Sequence, residues 1–387
     1  MGKSGKHEPG RWARWYLYGL IVVALAANFI ANDRPIVANF DGHVVWPVLS
    51  EVNATTTGVA VRNWNKATTK WSIWPPITYN GTSSDLSAAR YQPPLSQGKG
   101  PGRHWLGTDK LGRDTAAGLV YGTRVALAVG FGSVLLALLL GVPIGGAAGF
   151  FGNHGWAVTR AMLLAVVLGV VVGVTYTQIS LLPFLQLDGW VSNLLLTAVT
   201  VAVTTAATYY LLRLLPPLRH PTYVPADTIT LQFVEVFVNI PGAVLLLVAI
   251  SLAPQPSLGL LVALIGLLLW PKFAVFIRSE LIRIRSLPYI KAAQVSGIGK
   301  WRLLFVHALP NAAGPVLVTA GFMVVAAILL EAFLSFLGIG IPNDVATWGT
   351  ILRRSRAAPA AWWLAVFPGL LLTLTVLAIQ RVCQLER

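Results

Sequence analysis

Charged residues are scarce in this chain of 387 residues, because Asp, Glu, Lys and Arg together make up only 11% of it. Soluble domains carry about 25%. Hydrophobic residues reach 55% of the chain, and many of them lie in long runs without a charge. This composition excludes an ordinary soluble protein and indicates an all-α, polytopic integral membrane protein.

Cysteine is nearly absent, and several catalytic motifs are missing altogether. The single Cys383 excludes an internal disulfide and a cysteine metal cluster. The six histidines are scattered and do not form a ligand set. Gly2-Lys3-Ser4 lacks the upstream glycine and the strand of a phosphate-binding loop. The sequence therefore gives no support for an enzyme, and we expect no catalytic residues, metal site or cofactor site in this chain.

Apolar runs predict about eight transmembrane helices, since a hydrocarbon core of about 30 Å needs roughly 20 apolar residues. They lie near residues 15–31, 125–151, 161–182, 191–212, 236–271, 312–330 and 360–379, and the turn Ala253–Gly259 divides the fifth run into two helices. Four parts follow. Residues 1–31 hold the N-terminus and first helix, 32–118 an extracytoplasmic segment, 119–381 the transmembrane domain, and 382–387 the C-terminus.

The basic residues predict the orientation of these helices. More than half of the 29 Lys and Arg residues fall in the termini and short loops of one side, whereas the short loops opposite hold only Arg353, Arg354 and Arg356. Basic loops stay on the cytoplasmic side. We therefore expect both termini in the cytoplasm and residues 32–118 outside. The formal charge of +15 is explained by topology, without a nucleic-acid partner.

A polar, basic island, Pro288–Pro310, interrupts the apolar runs and predicts two short helices about a glycine bend. Gly297 and Gly299 are expected to supply left-handed backbone angles, and Pro310 fits the first turn of the next helix. Ala292 and Ala293 place small side chains on one face. The pattern favours a docking surface over a catalytic site.

A second motif is His104-Trp-Leu-Gly-Thr-Asp-Lys-Leu-Gly-Arg-Asp114, which predicts a tight loop followed by a helix. Thr108 or Asp109 is the expected N-cap, and a structural turn is favoured over a carboxylate metal site. Glu235 and Glu331 lie at or near the ends of apolar runs. They could face a cavity or partner, or equally reach the membrane interface.

These motifs, in this order, resemble a known family. The segments that carry the likeness are His104–Asp114, Tyr121-Gly-Thr-Arg124, Ala292-Ala-Gln-Val-Ser-Gly297, His307-Ala-Leu-Pro-Asn311, Leu330-Glu-Ala-Phe-Leu-Ser-Phe-Leu-Gly-Ile-Gly340, Trp348-Gly and Phe367-Pro-Gly. The chain is similar to the second permease subunit of ATP-binding-cassette (ABC) importers of the oligopeptide, dipeptide and nickel class. Ala31-Asn-Asp-Arg-Pro35 and the long outer segment particularly resemble permeases of microcin C-type peptide importers.

The resemblance implies a fold and a set of site residues. The fold is a six-helix type I permease core, here enlarged by a two-helix hairpin at about residues 158–215. A cytoplasmic coupling loop, at about 278–311, would seat in a groove of the ATPase. Its motif residues here are Lys291, Ala292, Ala293, Gly297, Leu309 and Pro310, and Lys291 departs from the family's glutamate. The family motif before the second helix is Gly107, Thr108, Asp109, Gly112, Arg113 and Asp114.

The resemblance also implies partners: a second homologous permease, ABC ATPase subunits that bind the ATP and Mg, an extracytoplasmic substrate-binding protein and the lipid bilayer. The expected function is ATP-driven import of di-, oligo- or modified peptides across a bacterial inner membrane. A stand-alone secondary transporter or channel is the alternative, and it would predict an inverted repeat. A third hypothesis is a membrane-anchored structural protein, and it would leave the motifs unexplained.

Overall fold

The computed structural model describes residues 10–40, 43–48, 69–85, 90–97, 102–153, 155, 157–181, 190–251, 257–340 and 345–385. Four parts of the chain therefore lie wholly or partly outside the described residues: residues 1–9, much of the predicted extracytoplasmic segment 32–118, most of the turn Ala253–Gly259, and residues 386–387.

Long helices dominate the described chain. In chain order they are α1 Arg11–Leu25, α2 Ala27–Ile30, α3 Thr115–Phe151, α4 Arg160–Tyr176, α5 Trp190–Arg213, α6 Ala226–Asn239, α7 Gly242–Ser251, α8 Leu258–Arg285, α9 Pro288–Val295, α10 Lys300–Arg302, α11 Leu309–Leu337, α12 Trp348–Ser355 and α13 Trp363–Leu385. A π-helical turn, Leu303–Ala308, joins α10 to α11. A second π-helical turn, Thr177–Leu181, extends α4.

Six helices in the described ranges are long and apolar enough to cross a membrane, and a bent helix pair raises the number to seven. The first predicted span is the pair α1 and α2, which a break at Ala26 separates. The polytopic helical fold is confirmed. The helix predicted from Ala312 begins earlier, because α10, the π-helical turn and α11 form one continuous helix from Lys300 to Leu337.

The fifth predicted span is broken rather than straight. Helix α6 ends at Ile240, whose backbone is extended (φ −84°, ψ 124°), and Pro241 follows. A residue before proline avoids helical angles. Helix α7 then leaves at an angle of 79° to α6. The apolar run therefore contains a broken span or a re-entrant element.

The core forms where α3 packs against α8, and α11, α12 and α13 complete it. Glycines along one face of α3 permit this close approach. A Cβ atom at Gly145 would lie 2.1 Å from the carbonyl oxygen of Ala274, and one at Gly141 would lie 2.7 Å from that of Trp270. Small residues at helix interfaces are typical of membrane bundles.

Helices α4 and α5 form a hairpin that packs mainly on itself. Gly169 and Gly173 of α4 face α5, and the Thr204 hydroxyl donates to the carbonyl of Gly169 at 2.7 Å. The hairpin ends are held together by the antiparallel strands β6 Ala157–Thr159 and β7 Pro221–Tyr223. It corresponds to the insertion expected at about 158–215.

The segment between α2 and α3 contains short antiparallel strands. Its three-stranded sheet has the order β2-β1-β3, with β1 Val37–Phe40, β2 His43–Val45 and β3 Thr69–Ile73. A separate pair consists of β4 Ser96–Gln97 and β5 Arg103–His104. The segment thus has structure of its own, which leads into the motif at residues 104–114.

Candidate functional site

The connecting segment, residues 286–308, contains the expected glycine bend. It is shorter than the coupling loop expected at about 278–311, because α8 continues to Arg285 and α11 begins at Leu309. Helix α9 ends in a Schellman motif, in which the amide of Gly297 donates to Gln294 and that of Ile298 donates to Ala293. Gly297 has φ +79°, a left-handed angle that glycine adopts without a Cβ penalty. Local backbone chemistry therefore fixes the bend.

Gly299 behaves differently from the prediction. Its angles are φ −60° and ψ 142°, which any residue can adopt, so the expectation of a second left-handed glycine is wrong. One left-handed residue is enough to reverse the chain after α9. Pro310 lies in the first turn of α11, as predicted, although the helix already runs through the π-helical turn that precedes it.

One side of the connecting segment is anchored in the membrane domain. Ile290, Leu303 and Ala308 are fully buried and join a second apolar cluster with side chains of α3 and α8. Ala293 and Leu309 are partly buried against the same cluster. The bend is therefore held rigidly on the ends of long helices.

The connecting segment also carries exposed apolar and basic side chains. Val295 is 90% exposed, and Trp301 and Phe305 stack with ring centroids 5.8 Å apart while remaining more than half exposed. Four of the residues predicted for the coupling motif are also exposed: Lys291, Ala292, Gly297 and Pro310. Exposed apolar side chains on the same segment as the exposed basic residues Lys291, Lys300 and Arg302 are typical of a surface that binds another protein. We call this surface the docking face.

The motif at residues 104–114 forms a turn that links several elements. Gly107 and Gly112 have positive φ angles of 80° and 73°. One oxygen of Asp109 accepts from the amides of Leu111 and Arg113, and the other lies 3.2 Å from Nη1 of Arg354 on α12. The carboxylate is thus occupied by backbone amides and an ion pair. The structural turn is confirmed.

Thr108 also connects the turn to distant parts of the chain. Its carbonyl oxygen accepts from Nε1 of Trp363 at 3.1 Å, and its hydroxyl accepts from the amide of Gln92 at 3.0 Å. Arg354, the partner of Asp109, is largely enclosed. Burial lowers the pKa of its guanidinium, and the Asp109 carboxylate opposes this shift. Sequence patterns could not reveal the contact of Thr108 with Trp363 or that of Asp109 with Arg354.

The predicted N-cap is wrong. Asp114, rather than Thr108 or Asp109, caps α3, because its Oδ1 accepts from the amide of Ala117 at 2.7 Å. Thr108 and Asp109 are engaged by the turn. The second oxygen of Asp114 lies 2.8 Å from Nδ1 of the buried His104. The helix therefore begins later than expected.

Tyr79 stacks on the His104 ring with centroids 4.3 Å apart and donates its hydroxyl hydrogen to the carbonyl of Gly102. Burial raises the pKa of Tyr79 to about 12, and the negative charges of Asp85 and Asp114 contribute. A buried polar cluster therefore joins the segment between α2 and α3 to the start of α3.

The two glutamates in apolar stretches have different surroundings. Glu235 is exposed on α6. Glu331 is only 1% exposed within α11, and the Ser335 hydroxyl donates to its Oε1 at 2.7 Å. The interface alternative is therefore wrong for Glu331, which is an interior residue of a helix that continues to Leu337.

Residues 224–384 match the family of binding-protein-dependent transport system inner membrane components. This match begins just after the hairpin and includes the connecting segment.

Named relatives align over most of the chain. The chain is 24% identical to the peptidoglycan transport system permease protein YejE of Agrobacterium fabrum, over 93% of this chain and 83% of the relative. It is also 24% identical to the inner membrane ABC transporter permease protein YejE of Escherichia coli, over 93% and 86%. A putative peptide transport system permease protein of Brucella suis is 27% identical over 80% and 79%.

The family match, the relatives and the bundle of long apolar helices agree with each other. They also agree with the order of motifs in the sequence. Residues 224–384 match the binding-protein-dependent transport system inner membrane components, and these findings support an inner-membrane permease of an ABC peptide importer.

Proposed function

We propose that this permease carries peptides or modified peptides, and that its docking face couples transport to ATP hydrolysis in partner subunits. The cargo follows from relatives named as peptide and peptidoglycan transport permeases. The docking face is the observation that carries the coupling role. An apolar surface that includes Val295 at 90% exposure needs a protein partner outside the membrane.

The anchoring of the connecting segment supports transmission of movement. Ile290 and Leu303 are fully buried against the ends of α3 and α8. A push on the exposed side would therefore move these helices as a unit, rather than bend a loose loop. Coupling needs contacts that differ between two states, and a rigidly held surface can provide them.

The proposed orientation places both termini and the docking face in the cytoplasm. Lys291, Lys300 and Arg302 lie on this surface, and basic residues mark cytoplasmic loops. The hairpin contributes two spans, so it leaves the side of the connecting segment unchanged. Residues 32–118 would then lie outside and contact a substrate-binding protein.

The remaining partners are part of the same proposal. Two ABC ATPase subunits bind ATP and Mg, and this chain has no cofactor of its own. A second, homologous permease completes the translocation path. Lys291 replaces the family's glutamate on the exposed side of α9, so the partner surface would receive a positive charge there.

The test is recovery of the ATPase with the permease. Val295→Asp places a charge at the most exposed apolar residue of the docking face and should strongly reduce the ATPase that co-purifies from membranes. Val44→Asp is the matched control, because Val44 is 55% exposed on β2, far along the chain from α9. Equal ATPase recovery with both variants would refute the docking role. Transport by the isolated permease without ATPase would instead favour a stand-alone transporter.

A further inference from the structure

Helices α1 and α3 leave an apolar groove between them. Its volume is about 630 Å³, and its walls include Ile21, Leu25, Leu127 and Phe131. Leu25 is 77% exposed and Phe131 is 55% exposed. Arg124 also lines this otherwise apolar groove. A charged side chain beside exposed hydrocarbon is unusual enough to need an explanation.

Arg124 is held in place by neutral groups. Its Nε donates to the carbonyl of Ala24 at 3.0 Å, and its Nη1 donates to Oδ1 of Asn28 at 3.3 Å. The guanidinium also lies 5.7 Å from the centre of the Tyr121 ring. Within the described part of the chain no carboxylate pairs with it. The side chain is exposed, so its positive charge is positioned but not neutralised.

The level of Arg124 matches that of a membrane interface. The following residues of α3, Val125–Phe151, contain no charged side chain, and at 1.5 Å per residue they span about 40 Å. A hydrocarbon core is about 30 Å thick. The bonds to Ala24 and Asn28 align Arg124 with the end of the first apolar segment, just before Asp33. On this alignment we expect Arg124 near the end of the hydrocarbon core, where the lipid head groups begin.

A second, smaller pocket adjoins the same side chain. Its volume is about 230 Å³, and Arg124 lines it together with Asn80, Thr82 and Tyr121. Arg124 therefore lies between the apolar groove and a pocket whose lining contains both polar and apolar residues. A molecule with a hydrocarbon chain, a negative charge and a polar end would fit both.

We propose that this site binds one phospholipid molecule. An acyl chain occupies the groove between α1 and α3, the phosphate accepts hydrogen bonds from Arg124, and the rest of the head group extends toward Asn80 and Thr82. Arginine is well suited to phosphate because its donors form a planar fork. The bound lipid would fill the gap between α1 and the bundle.

The experiment uses the assembled importer in nanodiscs of phosphatidylethanolamine and phosphatidylglycerol, followed by mild detergent extraction and native mass spectrometry. Arg124→Gln removes the phosphate ligand. Ala128→Phe fills the groove from an exposed position on α3, and it leaves the charge intact. Arg356→Gln is the matched control, because Arg356 also donates to a backbone carbonyl and lies over an aromatic ring, that of Phe336.

Wild type and Arg356→Gln should each retain one phospholipid per permease. Retention should fall about tenfold in Arg124→Gln, as expected for the loss of a charge-assisted hydrogen bond, and also fall in Ala128→Phe, while both variants still assemble. Equal retention in all four proteins would overturn the site. Displacement of the lipid by a peptide substrate would also overturn it, because Arg124 would then belong to the cargo path.

Discussion

Asp114 and His104 meet at the start of α3, where Oδ2 of the carboxylate lies 2.8 Å from Nδ1 of the imidazole and both side chains are enclosed. The other carboxylate oxygen caps the helix through the amide of Ala117. One residue therefore satisfies a helix terminus and fixes a buried histidine. The segment between α2 and α3 is joined to the helix bundle at this point.

Removal of the Asp114 carboxylate should destabilise the protein. Asp114→Ala loses the N-cap and leaves His104 without its partner, at a cost of about 2 to 4 kcal/mol. Asp114→Asn keeps an acceptor for the cap and should cost less than half as much. The apparent melting temperatures of the purified importer measure both effects. Equal losses for the two variants would contradict the double role of Asp114.

Adjacent tryptophans should differ sharply in importance. Trp363 is 6% exposed and donates to the carbonyl of Thr108, whereas its neighbour Trp362 is 52% exposed. Trp363→Phe should cost about 1 to 3 kcal/mol through the lost hydrogen bond and the poorer packing. Trp362→Phe should change the stability by less than about 0.5 kcal/mol. A similar melting temperature for the two variants would show that the hydrogen bond from Trp363 of α13 to Thr108 is not formed.

Two glycines test whether the hairpin is independent of the core. A Cβ atom at Gly145 would lie 2.1 Å from a carbonyl oxygen of α8, and one at Gly173 would lie 2.7 Å from the Cα of Val201 on α5. Gly145→Leu should cost about 3 kcal/mol or more and reduce the yield of assembled importer. Gly173→Leu strains the hairpin alone, so assembly and the melting temperature should be kept. Loss of assembly in both variants would show that the hairpin supports the core.

Hydropathy predicted the long helices well where a bilayer sets their length. Helix α5, Trp190–Arg213, almost coincides with the apolar run at 191–212. The run at 312–330 was predicted too short, because Glu331 suggested its end. A carboxyl group can remain inside the helix when a neighbour such as Ser335 donates to it, and sequence periodicity does not reveal that partner. The break before Pro241 was missed for a similar reason, since proline in an apolar run can begin, bend or break a helix.

The candidate sites were predictable only where local chemistry decides. The left-handed angle of Gly297 follows from its place after α9. The burial of Ile290 and the exposure of Val295 depend on how this segment packs against the ends of α3 and α8. Sequence patterns do not predict that packing. The pairing of Asp109 with Arg354 joins residues that are far apart in the chain. Because such contacts could not be foreseen, Thr108 and Asp109 were predicted as N-caps of α3, whereas Asp114 is the actual N-cap.

Gly297 offers the most direct test of coupling. Gly297→Val forces a β-branched residue into a left-handed angle, which costs about 1 to 2 kcal/mol and distorts the docking face. Gly299→Ala is the control, because Gly299 has ordinary angles and open space around it. The measurement is ATP-dependent peptide uptake per ATP hydrolysed, in proteoliposomes that contain the complete importer. We expect the peptide uptake per ATP hydrolysed to fall strongly in Gly297→Val and to stay unchanged in Gly299→Ala. An unchanged ratio in Gly297→Val would contradict the coupling role of the connecting segment.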